Sequence, residues 1–320
     1  MIDVLNLALP FFGLIFLGLA CGKFKSIPES GLAWMNFFII YVALPALFYR
    51  ILATTPLDQL RQVGFIAATV IGSFTAFAIA FVIGLLVSKG GVAQATIAGL
   101  AGGYGNVGYM GPGLALSTLG QEAAAPIALI FCFDTLLWFS LVPLLMEIAG
   151  TERKSIPRAV FDVVKSIVLH PFLIASALGV LSAATHFEPP VALDRLLGFL
   201  QNAAAPCALF TLGVTVALRP LEKMPWELPL IAPVKLLLHP VLTLLMLSLF
   251  GPFAESWVYA AVLMAALPPA LNVFVFARHY EAWVAQASGA VLFGTIASVV
   301  TLTSVLWLVR MQMIPVTLFH

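Results

Sequence analysis

The feature that most constrains this chain is the length of its uncharged apolar runs. From Val63 to Val87, "VGFIAATVIGSFTAFAIAFVIGLLV" carries no charged side chain. At 1.5 Å per residue, a helix of that length reaches about 37 Å, more than the roughly 30 Å of a bilayer's hydrocarbon core. Comparable runs recur along all 320 residues. The chain is 62% hydrophobic and only 9% charged, where a soluble globular domain carries about 25% charge. That much apolar surface needs lipid as its solvent, which implies a polytopic membrane protein. The runs are continuous rather than alternating, so they carry no β-barrel pattern.

Ten segments read as spanning helices: 4–21, 32–52, 63–87, 92–118, 124–147, 161–184, 191–217, 228–250, 256–277 and 283–309. Pro, Gly or charge punctuates the short connections, as in "GKFKSIPESG", "GTERKSIPRA" and "RPLEKMPWE". Val4 to Cys21 reads as a retained first span, because Met1 to Asn6 lacks the positive region of a signal peptide. The connections 1–2, 3–4, 5–6, 7–8 and 9–10 hold Lys23, Lys25, Lys89, Arg153, Lys154, Arg158, Lys165, Arg219, Lys223 and Arg278. The other side holds Arg50, Arg61, Arg195 and Arg310, and Lys235 lies within a span. By the positive-inside rule the first set faces the cytoplasm and both termini face outward. In a bacterial cell this places the chain in the cytoplasmic (inner) membrane.

Five spans precede the basic 5–6 connection and five follow it, so the two halves enter the membrane from opposite sides. The expected organisation is a first repeat over 1–148, a cytoplasmic linker at 149–160 and an inverted second repeat over 161–320. A short echo supports it. "ALPALF" (Ala43–Phe48) lies in the second span and "APCALF" (Ala205–Phe210) in the seventh, its equivalent. The fold class is therefore all-α, with ten transmembrane helices as two inverted five-helix repeats. A net charge of +1 supplies no basic face for nucleic acid. Cys21, Cys132 and Cys207 sit in apolar runs with no disulfide framework and no metal spacing. No metal and no other cofactor is implied.

Two spans are broken. "GGYGNVGYMGPG" (Gly102–Gly113) interrupts the fourth and "ALPPALNVF" (Ala266–Phe274) the ninth. Glycine admits conformations that helices exclude, and proline removes a backbone donor and clashes with the preceding turn. Unpaired backbone in hydrocarbon costs several kcal/mol per group, so it survives only inside protein or along a cavity. Paired breaks in inverted halves point to a transport site. The candidate crossover residues are Gly105, Gly111, Pro112, Pro268 and Pro269. The half-helix N-termini after Pro112 and Pro269 offer free N–H groups and a positive dipole end, which suit an anion. Asn106, Tyr109 and Asn272 supply hydrogen-bonding groups for a substrate carboxylate, with Tyr104 as a further hydroxyl. The asparagines serve equally well to satisfy the freed backbone.

Ionisable groups at mid-span cost at least about 2.5–3.5 kcal/mol to insert. Asp134 lies about eleven residues into the fifth span, roughly 16 Å deep. Lys235 and His239, in "VKLLLHPVL", share one face of the eighth. Lys235 either attracts the anion, pairs with Asp134 or snorkels to the cytoplasm. Asp134 and His239 are candidates for a coupling proton. A structural ion pair for Asp134, and a backbone partner near Pro240 for His239, are the competing roles.

These residues resemble the auxin efflux carrier family of secondary transporters along nearly the whole chain. The likeness rests on "YVALPALFY" (41–49), "GNVGYMGPGLALSTLG" (105–120), "VKLLLHPVL" (234–242) and "ALPPALNVFVFARHYE" (266–281). The last two look most like the bacterial malonate and carboxylate transporter branch. The resemblance implies a scaffold of spans 1, 2, 6 and 7, and a transport unit of spans 3–5 and 8–10. It further implies an anion site where helices 4 and 9 cross, elevator-like movement, and homodimers formed through spans 1, 2, 6 and 7. One departure concerns Gly111-Pro112-Gly113, where proline stands one position earlier than in the family's G-x-P. The expected function is secondary transport of a small organic anion, a carboxylate such as malonate. A sodium-coupled symporter of the bile-acid-transporter type is the alternative. A membrane-embedded enzyme is the remote one, since no H-E-x-x-H, paired aspartates or Cys/His cluster is present.

Overall fold

The computed structural model describes residues 2–25, 28–89, 91–150, 161, 164–165, 168–218 and 224–319. Most of the expected linker, 151–160, lies outside the described residues, and so do Arg153, Lys154, Arg158, Arg219 and Lys223. Every regular element among the described residues is helical. Among the described residues, six helices are long and apolar enough to cross a membrane: Ser30–Ala53, Leu57–Val87, Gly111–Ile148, Val191–Ala217, Leu228–Phe250 and Val284–Arg310. Ala8–Phe24, Pro171–Thr185 and Glu255–Ala266 are shorter apolar helices.

The chain divides into two compact units. The first comprises Met1–Gln62, Gly108–Leu129 and Val168–Leu221. Its main helices are α1 (Ile2–Phe24), α2 (Glu29–Phe38), α3 (Leu44–Ala53), α7 (Gly111–Leu119), α9 (Pro171–Thr185) and α10 (Val191–Ala217), with a short α4 (Leu57–Leu60). α1 lies along α10 and α3 along α9. Small residues permit this approach. A Cβ on Gly18 would fall onto the Phe210 carbonyl oxygen, and one on Gly213 onto the Ile15 carbonyl oxygen. Between α3 and α10, Arg50 pairs with Asp194 at 3.1 Å and donates to Gln201 Oε1 at 3.0 Å.

The second unit comprises Val63–Val107, Ile130–Ile167 and Glu222–His320. It contains α5 (Val63–Val87), α6 (Val92–Gly103), most of α8 (Ala124–Ile148), α11 (Leu228–Pro233), α12 (His239–Phe250), α13 (Glu255–Ala266), α14 (Leu271–His279) and α15 (Val284–Arg310). α5 and α6 pack most extensively. Their seam is again lined with glycine: a Cβ on Gly84 would meet Ala98 Cβ at 2.7 Å, and one on Gly103 the Ser73 carbonyl at 2.8 Å.

The units depart from the division that the family resemblance implies. Residues 108–129, the second part of the fourth span and the start of the fifth, group with the first unit. The reason is packing: α7 lies against α1, and a Cβ on Gly113 would meet Phe11 at 2.9 Å and Ala205 Cβ at 3.0 Å.

Candidate substrate site

The site begins with two helices that stop short. α6 and α13 have 12 residues each, about 18 Å at 1.5 Å per residue, well under a bilayer core. α13 ends because Leu267 precedes proline, which pushes it to extended backbone, with φ −61° and ψ 148°. α6 ends at Gly103, and Tyr104 is likewise extended, with φ −96° and ψ 104°. The two extended pieces then pair. Gly105 and Pro269 form an antiparallel bridge. Asn106 N donates to Pro268 O at 2.8 Å and Ala270 N donates to Tyr104 O at 3.0 Å. Each break thus satisfies the other's backbone, as hydrocarbon demands. Pro268 and Pro269 carry no N–H, so they leave no donor to satisfy.

Beyond the crossing, α14 starts at Leu271 with Ala270 as its N-cap and no side-chain cap. Its first N–H groups therefore keep their positive end. Asn272 sits in that first turn and donates through Nδ2 to the Tyr104 hydroxyl oxygen at 3.2 Å, which leaves the Tyr104 O–H to donate elsewhere. The close approach at Gly105 depends on its missing side chain: a Cβ there would lie 3.1 Å from Lys235 Nζ and 3.2 Å from Met264 O.

Lys235 reaches the crossover from a π-helical turn, Val234–Leu238, between α11 and α12. That turn precedes Pro240, whose missing N–H and bulky ring disrupt the regular ladder. The Lys235 side chain is 0% exposed, so it does not snorkel. Its ammonium donates to Ala265 O at 2.6 Å and lies 2.9 Å from His239 Nδ1. An ammonium only donates, so Nδ1 accepts and a neutral His239 carries its proton on Nε2. Nε2 lies 3.2 Å from Ser73 Oγ of α5. One N–H of Lys235 remains, and Gly105 is its neighbour.

Asp134 of α8 is 2% exposed. It faces Ser73 and interacts electrostatically with Lys235, yet makes no direct ion pair: Arg50–Asp194 is the one such pair among the described residues. Its Oδ1 has no hydrogen-bond partner. Trp138, one turn further along α8, packs its ring against Phe77 at 5.4 Å and Tyr104 at 5.9 Å.

The structure therefore brings together Gly105, Asn106, Pro268, Pro269, Asn272, Lys235, His239 and Asp134, all within the second unit. Tyr109 lies half-buried in the turn before α7, and Gly111 and Pro112 open α7 itself. These three belong to the first unit. The backbone pairing with Pro268 and Pro269 is made by Tyr104–Asn106, six residues before Pro112. Ser73 escapes a sequence reading because one serine among apolar residues has no pattern. Its only signal is the small pair Gly72-Ser73, in a span that also holds Gly64, Gly84 and several alanines.

A multi-pass helical protein with two interrupted helices crossing beside a buried cation has the construction of a membrane transporter. The chain belongs to the auxin efflux carrier family, whose profile, described as "Membrane transport protein", matches residues 3–306. It is 46% identical over 319 residues, 100% of both chains, to a protein of Rhizobium meliloti (strain 1021) named "Putative malonate transporter". It is also 26% identical over 291 residues, 90% of this chain and 93% of the other, to an "Uncharacterized transporter" of Methanothermobacter thermautotrophicus. The family and these names are those of transporters, not enzymes.

Proposed function

We propose that this protein carries a small organic anion, a carboxylate such as malonate, across the cytoplasmic membrane by alternating access. The observation that carries the reading is the Lys235 ammonium, fully buried and next to the Gly105–Pro269 crossing. Asp134 acts on this cation without a direct ion pair, and an anion at the crossing supplies a closer counter-charge where the low dielectric makes charge expensive. The uncapped start of α14 adds a second positive end, and a dicarboxylate has two negative ones. The name of the Rhizobium relative directs the choice to malonate.

In this reading the chain has ten spanning segments in two inverted five-helix repeats, with both termini outside. The two compact units support an elevator-like movement of one against the other, and dimers form through spans 1, 2, 6 and 7. A sodium-coupled mechanism is less favoured, because the Lys235 cation already acts on the Asp134 carboxylate, the one mid-span acid that sodium would need. The test is uptake of labelled malonate into proteoliposomes by wild type and Lys235→Ala in parallel. Saturable uptake lost in the variant supports the reading. Absence of uptake by folded wild-type protein removes malonate, and uptake unchanged in the variant removes Lys235 from the site.

A further inference from the structure

We propose that Asp134 carries a proton with the transported anion, and that Lys235, His239 and Ser73 are the path by which the proton reaches it. Three features of the second unit point there. Asp134 is 2% exposed, with Oδ1 lacking any hydrogen-bond partner and no direct ion pair. A carboxylate in that setting is poorly compensated, and a proton on it removes the charge. The four side chains run from crossover to acid without a solvent-exposed member: Lys235 is 0%, His239 2% and Ser73 4% exposed. Finally, their donor sense is uniform. Lys235 donates to His239 Nδ1 at 2.9 Å, so His239 Nε2–H donates to Ser73 Oγ at 3.2 Å. The hydroxyl hydrogen of Ser73 is then free to turn to the Asp134 carboxylate it faces.

The transfer balances as a chain of exchanges. A proton leaves Lys235 Nζ for His239 Nδ1, and the Nε2 proton of His239 passes to Ser73 Oγ. The original hydroxyl proton of Ser73 then passes to Asp134. Lys235, buried in this structure, recovers its proton from solution in the conformation that opens the crossover. The net result is one proton moved from solution to Asp134, with His239 in its other tautomer until the chain resets. A bound dicarboxylate beside charged Lys235 and charged Asp134 leaves two uncompensated negative charges. Protonating Asp134 removes one of them, which eases movement of the set through a low-dielectric interior.

Little else titrates nearby. The sequences of α5, α6 and α11 contain no ionisable side chain. α12 contributes only His239, and α15 only Arg310 at its far end. α13 has Glu255 and Tyr259 near its start, Glu255 being about 15 Å along the helix from Ala265. α14 ends in Arg278 and His279, and α8 adds Cys132 and Glu147. Tyr104, at the crossing, is the other ionisable group that acts on Asp134.

The consequence for coupling rests on the anion-carrier reading, but the proton site does not, and the test separates them. Infrared difference spectra of the purified protein in lipid, titrated with pH and without substrate, should show a protonated buried carboxyl band that Asp134→Asn abolishes. A wild-type spectrum lacking any band that this substitution removes overturns the proposal, whatever the protein carries. In proteoliposomes, malonate accumulation driven by a pH gradient should fall to the no-gradient level in Asp134→Asn. It should fall toward that level in Ser73→Ala, while malonate counterflow in both variants continues at a lower rate. Gradient-driven accumulation preserved in both folded variants overturns the path. Absence of wild-type counterflow counts against malonate, and the infrared band still decides the proton site.

Discussion

Replacing Lys235 with methionine separates a charge kept for transport from a charge kept for stability. The ammonium is fully buried and makes two hydrogen bonds, to Ala265 O at 2.6 Å and to His239 at 2.9 Å. Methionine fills a similar volume without charge. Removing the ammonium relieves its desolvation, an effective penalty of several kcal/mol per buried ion. It also leaves the Ala265 carbonyl and His239 Nδ1 without their donor, at about 1–3 kcal/mol each. These oppose one another, so the thermal midpoint should move by no more than about 4 °C, on the scale of 2–4 °C per kcal/mol for a chain of this order. Transport has no such offset. One charge-assisted hydrogen bond to the anion contributes about 1.5–3 kcal/mol, or about 10- to 150-fold in kcat/KM. The assay is malonate uptake kinetics in proteoliposomes beside thermal unfolding of the same preparation. Uptake retained within about twofold refutes a role in binding the anion. A steep fall in both quantities refutes the functional reading in favour of a structural one.

Three further outcomes are expected. Gly105→Val places branched carbon where a Cβ already stands 3.1 Å from Lys235 Nζ and 3.2 Å from Met264 O, so malonate KM should rise; an unchanged KM would mean that the ammonium is not held against this glycine. Asn272→Ala removes the donor to the Tyr104 hydroxyl. Stability should fall by about 0.5–1.5 kcal/mol on thermal unfolding, with a larger relative loss in kcat/KM. Gly213→Ala, in the first unit, drives a methyl onto the Ile15 carbonyl; overpacking of this kind costs about 1–3 kcal/mol, so the thermal midpoint should drop while malonate KM stays constant.

The membrane environment, the helical class and the position of both breaks were legible in the sequence, for one physical reason. Lipid offers backbone groups no partners, so an apolar run is helical unless glycine or proline forbids it. "GGYGNVGYMGPG" and "ALPPALNVF" therefore announced their interruptions locally. Asp134, Lys235 and His239 were equally visible, because a charge inside an apolar run is costly wherever it points. The partners were not. That Gly105, rather than Pro112, meets Pro269 depends on which part of a seven-residue break is extended, and glycine-rich backbone leaves that choice to its neighbours. Ser73 and His239 stand 166 positions apart in the chain. Their meeting follows from how α5 packs against α12, with Gly72 close against Thr243, a register that a largely apolar sequence does not announce. Local chemistry fixed where the helices stop and which charges are buried. The tertiary packing alone decided which buried groups face one another, because hydrogen bonds across helices are set by close contact rather than by position along the chain.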